Sequence, residues 1–162
     1  MCKVPGKIAL VTGGSRGIGA AIAEKLAKNG AHIAISYMSS PEKAEDLVQK
    51  LLGYNIKAKA YQSNAADYSQ CETLINAVLT DFGGLDILVN NAGITKDNLL
   101  LRMSEEQWDQ VIDTNLKSAF NLTKHACKHF MKNRNGSIIN ITSVVGVFGN
   151  AGQVNYAASK AG

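Results

Sequence analysis

Short unbroken apolar runs alternate along the chain with stretches whose apolar residues recur every three or four positions. Ile8-Ala9-Leu10-Val11 is apolar throughout, the pattern of a strand covered on both faces. Thr12-Gly13-Gly14-Ser15-Arg16-Gly17-Ile18-Gly19 follows, and Ile18, Ala21, Ile22 and Leu26 then fall at helical spacing. Asn29-Gly30 stops that helix, and His32 to Tyr37 predicts a second strand. Ser40-Pro41-Glu42 opens another helix, with Ser40 as cap and Pro41 at the first helical position; it runs to about Leu52 and stops at Gly53. Ile56 to Gln62 predicts a third strand, weakly apolar and near an edge. Asp67 or Ser69 caps a helix that ends at Phe82-Gly83-Gly84. Asp86-Ile87-Leu88-Val89 predicts a buried fourth strand running into Asn90-Asn91-Ala92-Gly93. Ser104-Glu105-Glu106-Gln107 is a capping box before a helix with Trp108, Val111 and Ile112. A long helix follows, with Leu116, Phe120, Thr123, Cys127 and Phe130 on one side. Gly136 ends it, and Ser137 to Thr142 predicts a fifth strand.

Strand and helix in this rhythm predict an α/β fold, a Rossmann-type doubly wound parallel sheet with helices on both faces. Ligands of such sheets bind beyond the carboxyl ends of the strands. Thr12 to Gly19, Asn64-Ala65, Asn90 to Gly93 and Ser143 all follow predicted strand ends, so they are expected to converge on one ligand.

The first of these segments has the chemistry of a phosphate cradle. A glycine turn between strand and helix aims free backbone N–H groups and the positive end of the helix dipole at one spot. Gly13 permits the tight turn, Gly17 removes a Cβ where phosphates approach, and Gly19 lets helix and strand pack closely. The spacing is G-x-x-x-G-x-G, not the G-x-G-x-x-G of the common dinucleotide fingerprint.

Composition narrows the picture. The 162 residues suit one domain, 1–162, with 46% hydrophobic and 19% charged residues and a formal net charge of +4. That charge suits an anionic cofactor or an acidic partner; no basic run interleaved with aromatics argues for nucleic acid. No signal peptide is visible at the start, and no apolar run approaches a membrane span. Cys2, Cys71 and Cys127 are far apart and odd in number, which favours reduced thiols in a cytoplasmic protein over a disulfide or metal framework. His125 and His129 lie four apart but lack the H-E-x-x-H pattern; a surface or subunit-interface role is expected, and no metal site. Asp81 and Asp86 read as helix-end and turn groups, and Trp108 as packing.

An NAD site usually carries an acid at the end of the second strand, to hold the ribose 2′-hydroxyl. Here that end is Ile35-Ser36-Tyr37-Met38-Ser39, and no acid occurs from Lys25 through Pro41. Arg16, inside the turn, could pair with a 2′-phosphate, so NADP(H) is the expected cofactor; the alternative for Arg16 is a solvated loop residue. Tyr156 and Lys160 are four apart and share a face if they begin a helix. An ammonium there favours a phenolate, which suits acid–base work. Ser143 could hydrogen-bond a substrate carbonyl and steady a developing alkoxide. Alone, the Tyr–Lys pair would be an exposed helical pair; beside the turn and the strand-end serine it points to catalysis.

The turn from Thr12 to Gly19, the Asn90-Asn91-Ala92-Gly93 segment, Asn115, Ser143, and Tyr156 with Lys160 resemble the short-chain dehydrogenase/reductase family, in order along the whole chain. Within it, Gly93-Ile94-Thr95-Lys96-Asp97-Asn98-Leu99-Leu100-Leu101-Arg102-Met103 and Ser143-Val144-Val145-Gly146 resemble the branch that reduces 3-oxoacyl thioesters on an acyl carrier protein. The resemblance implies these roles. Tyr156 donates a proton to the ketone oxygen, Lys160 holds the nicotinamide ribose, Ser143 orients the ketone, and Asn115 holds a water in the proton relay. Gly13, Ser15, Arg16, Gly17, Ile18 and Gly19 cradle the cofactor, Asn64 and Ala65 flank its adenine, and Asn91, Ala92 and Gly93 line its middle. The resemblance further implies a homotetramer at full length and a basic docking patch near the active-site mouth, with Arg134 matching a family arginine that contacts the carrier protein. Alternatives are a reductase of a CoA thioester or small ketone, and a non-catalytic dinucleotide-binding fragment. Family members continue past Gly162 with more strands and a substrate lid, so the chain is expected to be C-terminally incomplete and inactive as it stands.

Overall fold

The computed structural model describes residues 4–162; Cys2 lies outside the described residues. Five strands form one parallel sheet: β1 (Ile8–Val11), β2 (His32–Tyr37), β3 (Ala58–Gln62), β4 (Ile87–Asn90) and β5 (Ser137–Asn140), in the order β3-β2-β1-β4-β5. The helices are α1 (Gly17–Lys28), α2 (Pro41–Leu52), α3 (Tyr68–Phe82), α4 (Glu105–Ile112), α5 (Ser118–Asn133), α6 (Val145–Phe148) and α7 (Val154–Ala161). The order reverses direction after β3, where the chain crosses back to lay β4 on the other side of β1. That places the switch point between β1 and β4.

Alternation along the strands sorts the core into two layers. Ala9, Val11, Ile33, Ile35, Ile87 and Val89 face α1 and α2, packing on Ala23, Ala27, Ala44, Leu47, Val48 and Leu51. Leu10, Ala34 and Leu88 face α3 and α5, packing on Leu74, Ile75, Val78, Leu122, Ala126 and Phe130. β4 is buried at all four residues, as its unbroken apolar run predicts. β3 lies at one edge, as its weaker pattern predicts, though it begins two residues later than Ile56. β5 is the other edge; it ends at Asn140, not Thr142, and all four of its residues are exposed.

Several caps form as read. Asp67, not Ser69, caps α3 by accepting from Gln70 N–H, and Gly83 closes that helix at φ 81°. Ser104 and Gln107 form both halves of the capping box on α4. Others differ. Ser40 precedes α2, but its side chain makes no capping hydrogen bond. Arg134, at φ 50°, closes α5 before Gly136 is reached. The buried face of α1 is Gly19, Ala23 and Ala27, because small residues let the helix approach the strands; Ile18 is 67% exposed and faces the cleft. α5 buries Ser118, Asn121, Leu122, Ala126 and Phe130, so the predicted stripe is rotated and Phe120 is exposed. Between α4 and α5, Asp113–Lys117 winds as a π-helical turn, with Asn115 buried inside it.

Candidate active site

The carboxyl ends of the strands open into one cleft of ≈ 780 Å³. All the candidate catalytic and cofactor-binding residues line it except Asn115. The glycine turn forms its floor at the switch point. Thr12, buried, holds the floor to the neighbouring strand: Oγ1 donates to Val89 O at 3.3 Å and accepts from Asn91 N–H and Ala92 N–H, both at 3.0 Å. Asn91 Nδ2 donates to Thr12 O at 2.8 Å and Gly13 O at 3.2 Å, closing the latch from the other side.

The glycines divide the work. A Cβ on Gly19 would lie 2.5 Å from both Asn91 Nδ2 and Gly13 O, so only glycine fits between helix and turn. Gly14 is equally constrained, since a Cβ there would meet the Ile35 side chain at 2.7 Å; the second glycine of the pair was the signal for it. Gly17 stands at φ +55° with open space where a Cβ would point. The first turn of α1 has no side-chain cap and no acid. Open N–H groups, a glycine facing the cleft and the absence of a carboxylate fit a dinucleotide's phosphates. Arg16 is exposed at the same rim, as are Met38 and Ser39 beyond β2.

Asn64 and Ala65 form a further wall. Asn64 Oδ1 accepts from Ala66 N–H at 3.0 Å, while Gln70 Oε1 accepts from Asn64 N–H at 2.9 Å. Asn121 of α5, fully buried, supports this wall by donating to Ala65 O at 3.3 Å and Ala66 O at 3.4 Å. Its role had no periodic signal, because a polar residue on a buried helical face breaks the apolar pattern.

At the opposite end of the cleft, α7 presents Tyr156 and Lys160. Lys160 Nζ donates to Ile141 O at 2.7 Å and lies 5.9 Å from the centroid of the Tyr156 ring. Burial pushes the Lys160 ammonium below the ordinary lysine value. Tyr156 Oη has no protein hydrogen-bond partner among the described residues, so it is free for a ligand. Ser143 Oγ accepts from Val145 N–H at 3.2 Å, which leaves its own hydrogen free to donate. Asn115 sits behind this surface. Its Oδ1 accepts from Ile94 N–H at 2.7 Å, and its Nδ2 donates to Ile94 O and Ser159 Oγ, each at 3.0 Å. Its side chain therefore braces the cleft wall.

Arg134 is not at the mouth. It closes α5 three residues before β5 begins, at the amino ends of the strands, whereas the cleft lies at their carboxyl ends. His129 Nε2 accepts from Leu85 N–H at 3.2 Å, and His125 packs against Tyr68 with the rings tilted by 56° and centroids 4.4 Å apart. Asp81 accepts from Tyr61 and Lys59, tying β3 to α3. Cys71 and Cys127 are free, and burial, ahead of the nearby Asp67 charge, pushes the Cys71 thiol up to about 11. Among the described residues no three His, Cys, Asp or Glu side chains cluster to hold a metal, and no helix is long and apolar enough to cross a membrane.

Residues 7–162 match the short chain dehydrogenase family. The chain is 52% identical over 156 residues to the 3-oxoacyl-(acyl-carrier-protein) reductase FabG of Staphylococcus aureus (strain Mu50), covering 96% of this chain and 63% of that protein. It is 51% identical over 157 residues to the reductase of the same name from Escherichia coli (strain K12), covering 97% and 63%. A crystal structure assigned as a short-chain alcohol dehydrogenase from Sinorhizobium meliloti superposes with a TM-score of 0.95 at 36% identity, over 99% of this chain and 63% of that one. The chain thus spans less than two thirds of the length of these relatives.

Proposed function

The chain belongs to the short chain dehydrogenase family, and from that premise we propose that it is the dinucleotide-binding and catalytic part, one domain over residues 1–162, of an NADPH-dependent reductase. Its substrate is a 3-oxoacyl thioester on an acyl carrier protein and its product the 3-hydroxyacyl thioester, a step of fatty acid biosynthesis in the cytoplasm. One observation carries this reading: the glycine turn, Ser143, Tyr156 and Lys160, far apart in sequence, line a single cleft. The 3-oxoacyl substrate rests on the likeness to the FabG proteins and on the Gly93–Met103 wording; a reductase of a CoA thioester or small ketone is the alternative.

NADPH, when bound, supplies the hydride to C3. The chain does the rest. The first-turn N–H groups of α1 hold the pyrophosphate, Arg16 pairs with the 2′-phosphate, and Asn64 and Ala65 flank the adenine. Ser143 donates to the ketone oxygen. Tyr156 Oη gives that oxygen its proton, so the C=O π bond is replaced by C–H and O–H. Lys160 keeps a positive charge beside the phenol and reaches the ribose. Asn115 braces Ile94, and in this reading it also holds the water of a proton relay behind Tyr156. The complete protein is a homotetramer in this reading.

Tyr156→Phe tests the proton donor. In the full-length protein, reduction of a 3-oxoacyl thioester is expected to fall by at least about 100-fold, the scale of a lost general acid. The affinity for NADPH, read by fluorescence titration, stays within about threefold, because the glycine turn and Lys160 hold most of the cofactor. Near-normal turnover would take the tyrosine out of the mechanism.

A further inference from the structure

The loop from Ile94 to Asn98, whose first two residues line the cleft, is bonded at several points to α7 and the residues just before it. At one end Asn115 grips Ile94 and passes to Ser159 Oγ, which donates to Tyr156 O at 2.8 Å. At the other, Gln153 Nε2 donates to Asp97 Oδ2 at 2.8 Å and Asn98 N–H to Gly152 O at 2.8 Å. Between them stands Asn155, fully buried. Its Nδ2 donates to Lys96 O at 3.0 Å and Gln107 O at 3.2 Å, and its Oδ1 accepts from Tyr156 N–H at 2.8 Å.

Both polar atoms of this carboxamide are used, and by three different stretches of backbone: the cleft loop, the first turn of α4 and the start of α7. A buried amide satisfied in this way rigidifies what it joins, since each bond forgone leaves a desolvated group unpaired. Two of the joined pieces meet the reacting centre. The loop lends Ile94 and Thr95 to the cleft lining, and Tyr156 is the next residue after Asn155 in the chain.

We propose that Asn155 is a positioning residue, which fixes the Tyr156 phenol against the Ile94–Asn98 wall so that loop and helix move as one body. The inference rests on the catalytic reading of Tyr156 above. It does not touch substrate or cofactor; it acts through the backbone of Tyr156.

The test uses the full-length protein, with Asn155→Ala and with Gln153→Ala, which cuts the neighbouring surface link to Asp97 and opens no core cavity. Hydrogen exchange is measured first, without substrate. In Asn155→Ala the amides of residues 94–98 and 153–157 are expected to lose protection together, by about fivefold or more, while residues 8–19 keep theirs. Turnover is expected to fall about 10- to 100-fold with the KM for NADPH within about threefold, and the pH–rate profile to shift, because a misplaced phenol changes its distance from Lys160. Gln153→Ala is expected to move the same readouts in the same direction, by about twofold, and it decides the matter if Asn155→Ala does not fold. Loss of protection confined to one of the two segments, or an unshifted pH profile with unchanged kcat in a folded variant, overturns the proposal. If even the unaltered protein reduces no 3-oxoacyl thioester, the functional reading fails, while the exchange data still decide whether Asn155 couples loop and helix.

Discussion

Ser36 and Tyr37 are neighbours on β2 but face opposite sides of the sheet. Ser36 is buried, toward the α3 and α5 layer, whereas Tyr37 packs with the α1 layer, the side on which Arg16 opens α1. An acid meant to hold a ribose 2′-hydroxyl therefore belongs at Tyr37. Tyr37→Asp combined with Arg16→Ala is expected to lower kcat/KM for NADPH relative to NADH by about 10- to 100-fold, the worth of one hydrogen bond to a charged group. Equal use of both cofactors by the unaltered protein would refute the NADPH assignment. Single residues were legible in the sequence where chemistry dictates their spacing. Tyr156 and Lys160, four apart, announce themselves, and so do Gly13, Gly17 and Gly19. Thr12 and Asn155 do not, because they bond backbone groups between 48 and 80 positions away, and Gly14 shows only as the second glycine of its pair, since the Ile35 it meets is set by topology.

Elements show the same division. The cap of α3, the capping box of α4 and the bounds of β2 follow from local residue preferences and were legible. The buried faces of α1 and α5 were not, because pattern reading weights large apolar side chains. α1 is pressed onto the sheet by Gly19, Ala23 and Ala27, and α5 buries Ser118 and Asn121 to brace the cleft. Gly19→Ala measures that closeness. With Gly13 O and Asn91 Nδ2 each 2.5 Å from the new methyl, overpacking is expected to cost about 1–3 kcal/mol. It should also open the Asn91 latch, so NADPH affinity falls along with the thermal midpoint. A variant with normal stability and affinity would show that the turn has slack.

At the scale of the molecule, one carboxylate joins the amino ends of three strands. Asp86 takes an ion pair from Lys7 at 2.8 Å, the Ile8 N–H at 3.0 Å and Asn135 Nδ2 at 3.0 Å. Burial pushes its pKa up, but the Lys7 ammonium and the Ile8 N–H together outweigh this and hold it below the ordinary aspartate value. A depressed carboxylate contributes stability that is complete above the unfolded value near 3.9 and is lost as pH falls through the folded one. Below about pH 4 the thermal midpoint of the unaltered protein is therefore expected to drop more steeply than that of Asp86→Asn, read by calorimetry across pH 2–6. The exposed edge at β5 bears on association. Ile138 and Ile139 are 38% and 45% exposed on a strand paired on one side only, whose free edge is a template for pairing with other chains. Residues 1–162 in solution are therefore expected to self-associate through this edge, read by light scattering against concentration; a monomer at all concentrations would overturn this.

The strand order also sets a timetable for synthesis. β1 is the centre of the sheet, and β2 reaches it soon after it is made. Its other partner is late: Thr12 and Val89, bonded in the finished fold, are 77 positions apart. At roughly 5–20 residues per second a ribosome needs about 4–15 s to bridge that gap. β1, β2 and β3 are all made once Gln62 is added, yet the border of β1 that β4 covers has no partner until residues 87–90 follow. The phosphate floor cannot close until Asn91 emerges to latch it, so cofactor capture on the ribosome waits for the second half of the sheet.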